Sequence, residues 1–172
     1  MEPDHVDHLT EQWAQQRPEL DTRPLRISAR VVRLQRYVEQ HVAPTHDELG
    51  VSEGEVNVLA ALRRSGPPYE LTPTELYRGL LLSSSAMTNR IDRLETEGLV
   101  HRIPDADDRR RIRVALTDQG RDLVDEAMDR HVASLREITD VLDDAEHEAL
   151  EATLRRVLLH LERRAGPSPT EG

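Results

Sequence analysis

The sequence contains no cysteine, no lysine and no phenylalanine. Without cysteine, disulfides, thiol redox sensing and cysteine-ligated zinc are excluded. Aromatic residues make up 2% of the chain, so leucine, valine and alanine must fill the core, which favours helices over sheet. No apolar run approaches the about 20 residues that a membrane span requires. Residues 1–12 are acidic and polar, unlike a secretory signal, and a cytoplasmic protein is expected. All 23 basic residues are arginine. Its planar fork grips guanine and phosphate in paired hydrogen bonds that lysine cannot make.

The net charge is −10 over 172 residues, which argues against a nucleic-acid partner until its distribution is considered. Between Ser83 and Val114 stand seven arginines and six acidic residues, a local balance of +1, so the remainder carries −11. Cationic groups are therefore gathered in one window. The length fits one domain, or one domain with an extension. No repeat recurs at a period of about 20 to 50 residues.

That window, residues 83–117, is the most informative stretch. Met87, Ile91 and Leu94 recur at helical spacing and predict a buried stripe. Ser85, Thr88, Asn89, Asp92 and Arg93 lie on the opposite face and can reach base edges and phosphates. Gly98 marks the helix end. Two alternating segments follow, Leu99 to Ile103 and Ile112 to Leu116, and predict a hairpin whose tip holds Asp105 to Arg111. Upstream, Thr72-Pro73-Thr74-Glu75 is a strong helix start with proline at the first helical position; Leu76 and Leu80 lie on its helix. The short link Leu81-Leu82-Ser83 then joins two helices tightly, the arrangement of a helix-turn-helix.

The flanks read as helices. Residues 4–16 form an amphipathic segment with Trp13, and Pro18 and Pro24 bracket a break. From Pro24 to about Val42, residues Leu25, Ile27, Val31, Leu34 and Val38 predict a long helix, with Arg26, Arg30 and Arg33 on a solvated face. Ser52 to Glu55 is a capping box, and Val56, Leu59 and Leu62 continue that helix to Arg64. A loop follows at 65–68. Thr117 caps a helix of about 25 residues, roughly 37 Å long, with Leu142 as the last of its apolar positions. Asp143 to Glu146 opens a last helix bearing Leu150, Leu154, Val157, Leu158 and Leu161. Residues 166–172 are rich in proline and glycine, and disorder is expected there.

These terminal helices have little of their own chain to cover them. A second copy solves the problem, and an isologous homodimer is expected. It would hold two reading helices about 34–36 Å apart, facing successive major grooves of a pseudo-palindrome. The expected fold is mainly α with a small β-hairpin wing. It comprises an N-terminal extra helix (1–20), dimerisation helices (21–50 and 118–165), a winged helix-turn-helix (51–117) and a disordered tail (166–172).

Leu71 to Leu76, Ser85 to Leu94 with Asn89-Arg90-Ile91, and the run LETEGL at 94–99 together resemble the MarR (multiple antibiotic resistance regulator) family. Asp105 to Arg110 and Leu116-Thr117-Asp118-Gln119-Gly120 extend the likeness over roughly residues 25–163. The resemblance implies a ligand-responsive repressor without a cofactor, binding double-stranded DNA as a homodimer. It implies base contacts through Ser84, Ser85, Thr88, Asn89 and Arg93. It also implies a wing that enters the minor groove through Arg109 and Arg110, with Asp108 orienting. The family's wing usually reads D-x-R-D-R-R, and Asp107 stands at the first arginine position.

The chain is similar in particular to the urate-responsive branch, which carries an added N-terminal helix with a tryptophan. That likeness implies a small anionic effector (urate, a purine, a phenolic acid or a polycarboxylate) held by Trp13, Asn57, Arg64 and Arg90. Asn57 replaces the aspartate usual there and removes a charge. Each of these residues has a plainer reading. Trp13 could be a packing anchor, Arg64 a helix C-terminal cation, and Arg90 a local partner of Asp92 or Glu95 or a phosphate contact. Three other readings stand beside this one: a helical interaction module without DNA binding, a metal-responsive regulator with zinc near His41 and His46, and an enzyme using Ser84, His101 and Asp92. The enzyme lacks a nucleophile elbow or oxyanion hole.

Overall fold

The computed structural model describes residues 2–80, 84–104 and 111–165. The link 81–83, the wing tip 105–110 and the tail 166–172 lie outside the described residues, as do the side chains of Ser84 and Ser85. The elements in chain order are α1 (His5–Gln16), α2 (Arg23–Glu48), α3 (Glu53–Arg64), β1 (Glu70–Leu71), α4 (Pro73–Gly79), α5 (Ser84–Thr96), β2 (Val100–Pro104), β3 (Ile112–Leu116), α6 (Asp118–Thr139) and α7 (Asp144–Ala165). They group into two compact units, residues 1–42 and 43–172. Among the described residues no helix is long and apolar enough to cross a membrane.

In the first unit, Asp4 caps α1 reciprocally with Asp7, each carboxylate accepting from the other's backbone N–H. Arg30 of α2 then donates to both carboxylates, through Nε to Asp4 at 2.8 Å and through Nη2 to Asp7 at 2.8 Å. The expected solvated stripe of Arg26, Arg30 and Arg33 is thus interrupted, because capping leaves two carboxylates together as a ready partner for one guanidinium. Both aspartates are held below the usual carboxylate range, chiefly by the hydrogen bond from Arg30.

The core of the second unit is built from Val56, Leu59 and Leu62 of α3, Leu76 of α4, and Met87, Ile91 and Leu94 of α5. Val100, Val114, Val124 and Ala127 also belong to it. Fully burying side chains of this size contributes about 1.5–3 kcal/mol each, so the apolar stripe of α5 fixes which face of that helix looks outward.

The wing hairpin belongs to a three-stranded antiparallel sheet in the order β1-β3-β2. β3 pairs with β2 from Val100↔Leu116 to Pro104↔Ile112, and its other edge takes β1 at Glu70↔Ala115 and Leu71↔Val114. Two residues are too short to show the alternation that betrays a strand, so β1 has no signal in the sequence. α2 extends past Val42 and through Pro44 to Glu48. Thr45 and His46 are buried, so packing overrides the penalty of an internal proline. α6 stops at Thr139, three residues before Leu142, whose N–H donates to the Thr139 carbonyl in the turn. Asp143 accepts from the Glu146 N–H and starts α7.

Candidate nucleic-acid interface

α4 opens as its sequence predicts. Thr72 accepts from the Glu75 N–H, and the Glu75 carboxylate takes the Thr72 N–H in return. Pro73 costs nothing at the first helical position, where an N–H has no helical acceptor. α5 turns Met87, Ile91 and Leu94 inward, each at most 1% exposed, while Thr88, Asn89 and Arg93 are exposed on its other side. Gly98, at φ +73°, lets the chain reverse: its N–H donates to the Glu95 carbonyl and that of Leu99 to Leu94.

Two further contacts lock the wing base to the helices. The Thr117 hydroxyl donates to the Gly98 carbonyl at 2.7 Å and accepts from the Gly120 N–H at 2.9 Å. It therefore ties the end of α5 to the start of α6. Arg102 of β2 bridges Asp92 and Glu95 of α5, and its own backbone N–H donates to Glu95 at 3.0 Å. Arg102 was missed in the sequence because it lies on β2 and its partners on α5, so no periodicity within one element joins them.

These contacts count against one plainer reading of Arg90, as a local partner of Asp92 or Glu95, whose carboxylates face Arg102 instead. Two residues apart on a helix means nearly opposite directions, so Arg90 and Asp92 diverge. The Arg90 guanidinium lies over Gly54 in the first turn of α3, where an added Cβ would come within 2.4 Å of it.

Of the other candidate effector residues, Asn57 and Arg64 are exposed on α3, which ends at Arg64. Trp13 belongs to the first unit and is 44% exposed. Arg63, next to Arg64 in the chain, is committed elsewhere: it donates to Asp125 of α6 at 2.8 Å and stacks over the Tyr69 ring at 5.0 Å. Asp108, Arg109 and Arg110 lie outside the described residues.

The rival sites fare as follows. His46 is buried and stacks on His131, ring centroids 6.4 Å apart, and His41 is exposed. Among the described residues no group of three or more histidine or acidic side chains could hold a metal. Asp92 is engaged by Arg102 and His101 is exposed on β2, which leaves the carboxylate unavailable to orient that histidine.

Residues 49–111 match the MarR family. The chain is 33% identical to the HTH-type transcriptional regulator PecS of Dickeya dadantii over 156 residues, covering 91% of this chain and 94% of that protein. The chain belongs to the MarR family. It is a transcriptional regulator and not an enzyme. The multiple antibiotic resistance protein MarR of Salmonella typhimurium is 29% identical over 124 residues, 72% of this chain and 81% of that protein. Among solved structures, apo MarR from E. coli superposes with a TM-score of 0.66 at 25% identity, over 77% of this chain and 96% of its own. A cysteine-to-serine mutant of the same protein, complexed with operator DNA, gives 0.67 at 24% identity, over 81% and 99%. The fold shared with them is the mainly helical winged helix-turn-helix with a small sheet.

Proposed function

We propose that this regulator is a homodimer that occupies a pseudo-palindromic operator in the cytoplasm, represses from it, and leaves it when a small anion binds. The observation that carries the reading is the outward face of α5. Thr88, Asn89 and Arg93 stand exposed on a helix whose other side is fixed in the core. Such a face reads bases in the major groove, with Ser84 and Ser85 at its N-terminal end. Arg109 and Arg110 of the wing, oriented by Asp108, take the minor groove, where narrow A·T-rich tracts attract guanidinium groups.

The dimer is supported by apolar surface that a monomer leaves in water. Leu150, Leu154, Val157, Leu158 and Leu161 are exposed along α7, and Ile27, Val31 and Val32 along α2. A contiguous apolar row of this kind marks an interface. The effector reading is supported by Asn57 and Arg64 on one side of α3, two helical turns apart, with Arg90 and Trp13 as further contributors. Cationic and aromatic groups suit a flat or polycarboxylate anion, and the neutral Asn57 adds no repulsion. The effector biases the dimer towards a state whose reading helices are wrongly spaced, through its differential affinity for the two states.

The test is retention of duplexes selected from a random library, followed against salt. Neutralised phosphates release counterions, so the affinity should fall steeply and linearly on logarithmic axes. Absence of retention at low salt would leave a helical interaction module as the better reading. A thermal-shift panel of urate, other purines, citrate-like acids and salicylate identifies the effector class, since a ligand of the folded state raises the melting temperature.

A further inference from the structure

Glu55 is the one acidic side chain in the buried set of the described residues, with only 3% of its side chain exposed. The capping box explains half of it: Oε2 accepts from the Ser52 N–H at 2.7 Å and the Ser52 hydroxyl at 2.8 Å. The other oxygen is used differently. Oε1 lies 3.0 Å from Nε of Arg93, on the outward side of α5, and Glu97 Oε1 lies 3.0 Å from the same nitrogen. Arg93 itself is 57% exposed.

The division of labour within that guanidinium matters. Its Nε–H donates to Glu97, and the buried Glu55 carboxylate lies beside the same nitrogen as an ion-pair partner. Nη1 and Nη2 make no hydrogen bond among the described residues, so the outer edge of the fork is left for a partner outside the chain. A buried carboxylate also has few alternative rotamers, whereas Glu97 on its own would be a mobile surface neighbour of modest worth. An arginine gripped at Nε loses less side-chain freedom on meeting a base, and freedom already lost need not be lost on binding.

We propose that Glu55 is a positioning residue for sequence reading: its buried carboxylate on α3 holds the guanidinium of Arg93 by charge attraction at the Nε side, where Glu97 accepts the hydrogen bond, and so aims the two terminal nitrogens of that arginine at a guanine edge. This rests on the DNA-binding reading above. The first turn of α3 thereby sets the conformation of a reading side chain it never joins in sequence. Glu97, one turn on and just past the end of α5, completes the clamp.

Glu55→Gln tests it, because glutamine also serves in a capping box but removes the charge facing Arg93. Wild type, Glu55→Gln, Arg93→Ala and the double variant each select duplexes from a random library, and affinities are measured on the selected wild-type sequence and its single-base changes. In Glu55→Gln, discrimination should fall about tenfold, the scale of one forked arginine–guanine contact. It should fall at the base pair that Arg93→Ala also loses and at no other. The salt dependence should stay unchanged, because the phosphate contacts remain. In the Arg93→Ala background Glu55→Gln should add nothing, which a general packing defect would not produce.

A wild type that selects a sequence, with Glu55→Gln selecting the same one at the same discrimination, overturns this role alone. A wild type that retains no duplex overturns the DNA-binding reading and this role with it. A second measurement needs no variant. In the intact regulator, the Arg93 Nε–H should exchange slowly with water by nitrogen-15 NMR, and fast exchange there overturns the clamp even where Glu55→Gln does not fold.

Discussion

Gly120 stands where one methyl group would strike backbone. A Cβ there would come within 1.9 Å of the Leu99 carbonyl oxygen, and neither partner is the free end of a flexible side chain. Helix propensity alone favours alanine by about 1 kcal/mol. The clash should win, because overpacking costs about 1–3 kcal/mol or more, so Gly120→Ala should lower the melting temperature by several degrees in a circular-dichroism melt. An unchanged melt would mean that α6 can slide away from the wing base at no cost. Arg64 calls for a different experiment, since it is exposed at the end of α3 and no ion pair holds it among the described residues. Arg64→Ala should leave operator affinity within about twofold, the scatter expected of a surface change, while abolishing effector-induced release. A normal effector response in that variant removes Arg64 from the pocket.

Between elements, the informative unit is the ion pair that joins one helix or strand to the next. Arg102 fastens β2 to α5 through Asp92 and Glu95. Arg102→Met should keep the stem's packing yet leave two acids one turn apart without their cation. The expected cost is about 1 kcal/mol, the upper end for partly exposed pairs. Amide exchange should quicken at 100–104 ahead of the helical core. Equal protection in variant and wild type would show that strand pairing alone holds the wing base.

Arg30 joins α2 to α1 in the same manner, and this pair answers to pH. Asp4 and Asp7 titrate below the usual aspartate range in the folded chain, chiefly because Arg30 donates to them. Their contribution is therefore complete above the ordinary aspartate range and is lost as pH falls through the lowered folded values. Trp13, the one tryptophan of the chain, should report α1 loosening by fluorescence only in that acidic window. A change centred near neutrality would point to another group.

At the scale of the whole molecule, the surface of α7 carries the argument. Its leucines recur at helical spacing but stay exposed along the helix, Leu158 at 56%. Leu154→Asp with Leu158→Asp should convert a dimer to a monomer in sedimentation. It should also weaken operator retention by at least about a hundredfold, since one half-site then binds without the other. A variant that stays dimeric would move the interface elsewhere, with α2 the next surface to test.

Much of this was legible in the linear chain because the signals are local. The capping boxes at Ser52 and Thr72, the stripe Met87-Ile91-Leu94 and the stop at Gly98 each involve residues within one or two turns, so spacing and side-chain chemistry dictate them. The polar face of α5 follows from the same periodicity. What the sequence could not settle are contacts whose partners meet only after folding. Examples are Arg102 on Asp92 and Glu95, Arg93 on Glu55, Arg90 over Gly54, the two-residue strand β1, and the passage of α2 through Pro44. Local rules compare a residue with its neighbours in the chain. These outcomes depend on which groups a closed core brings within about 3 Å, where a buried charge or a missing Cβ outweighs propensity.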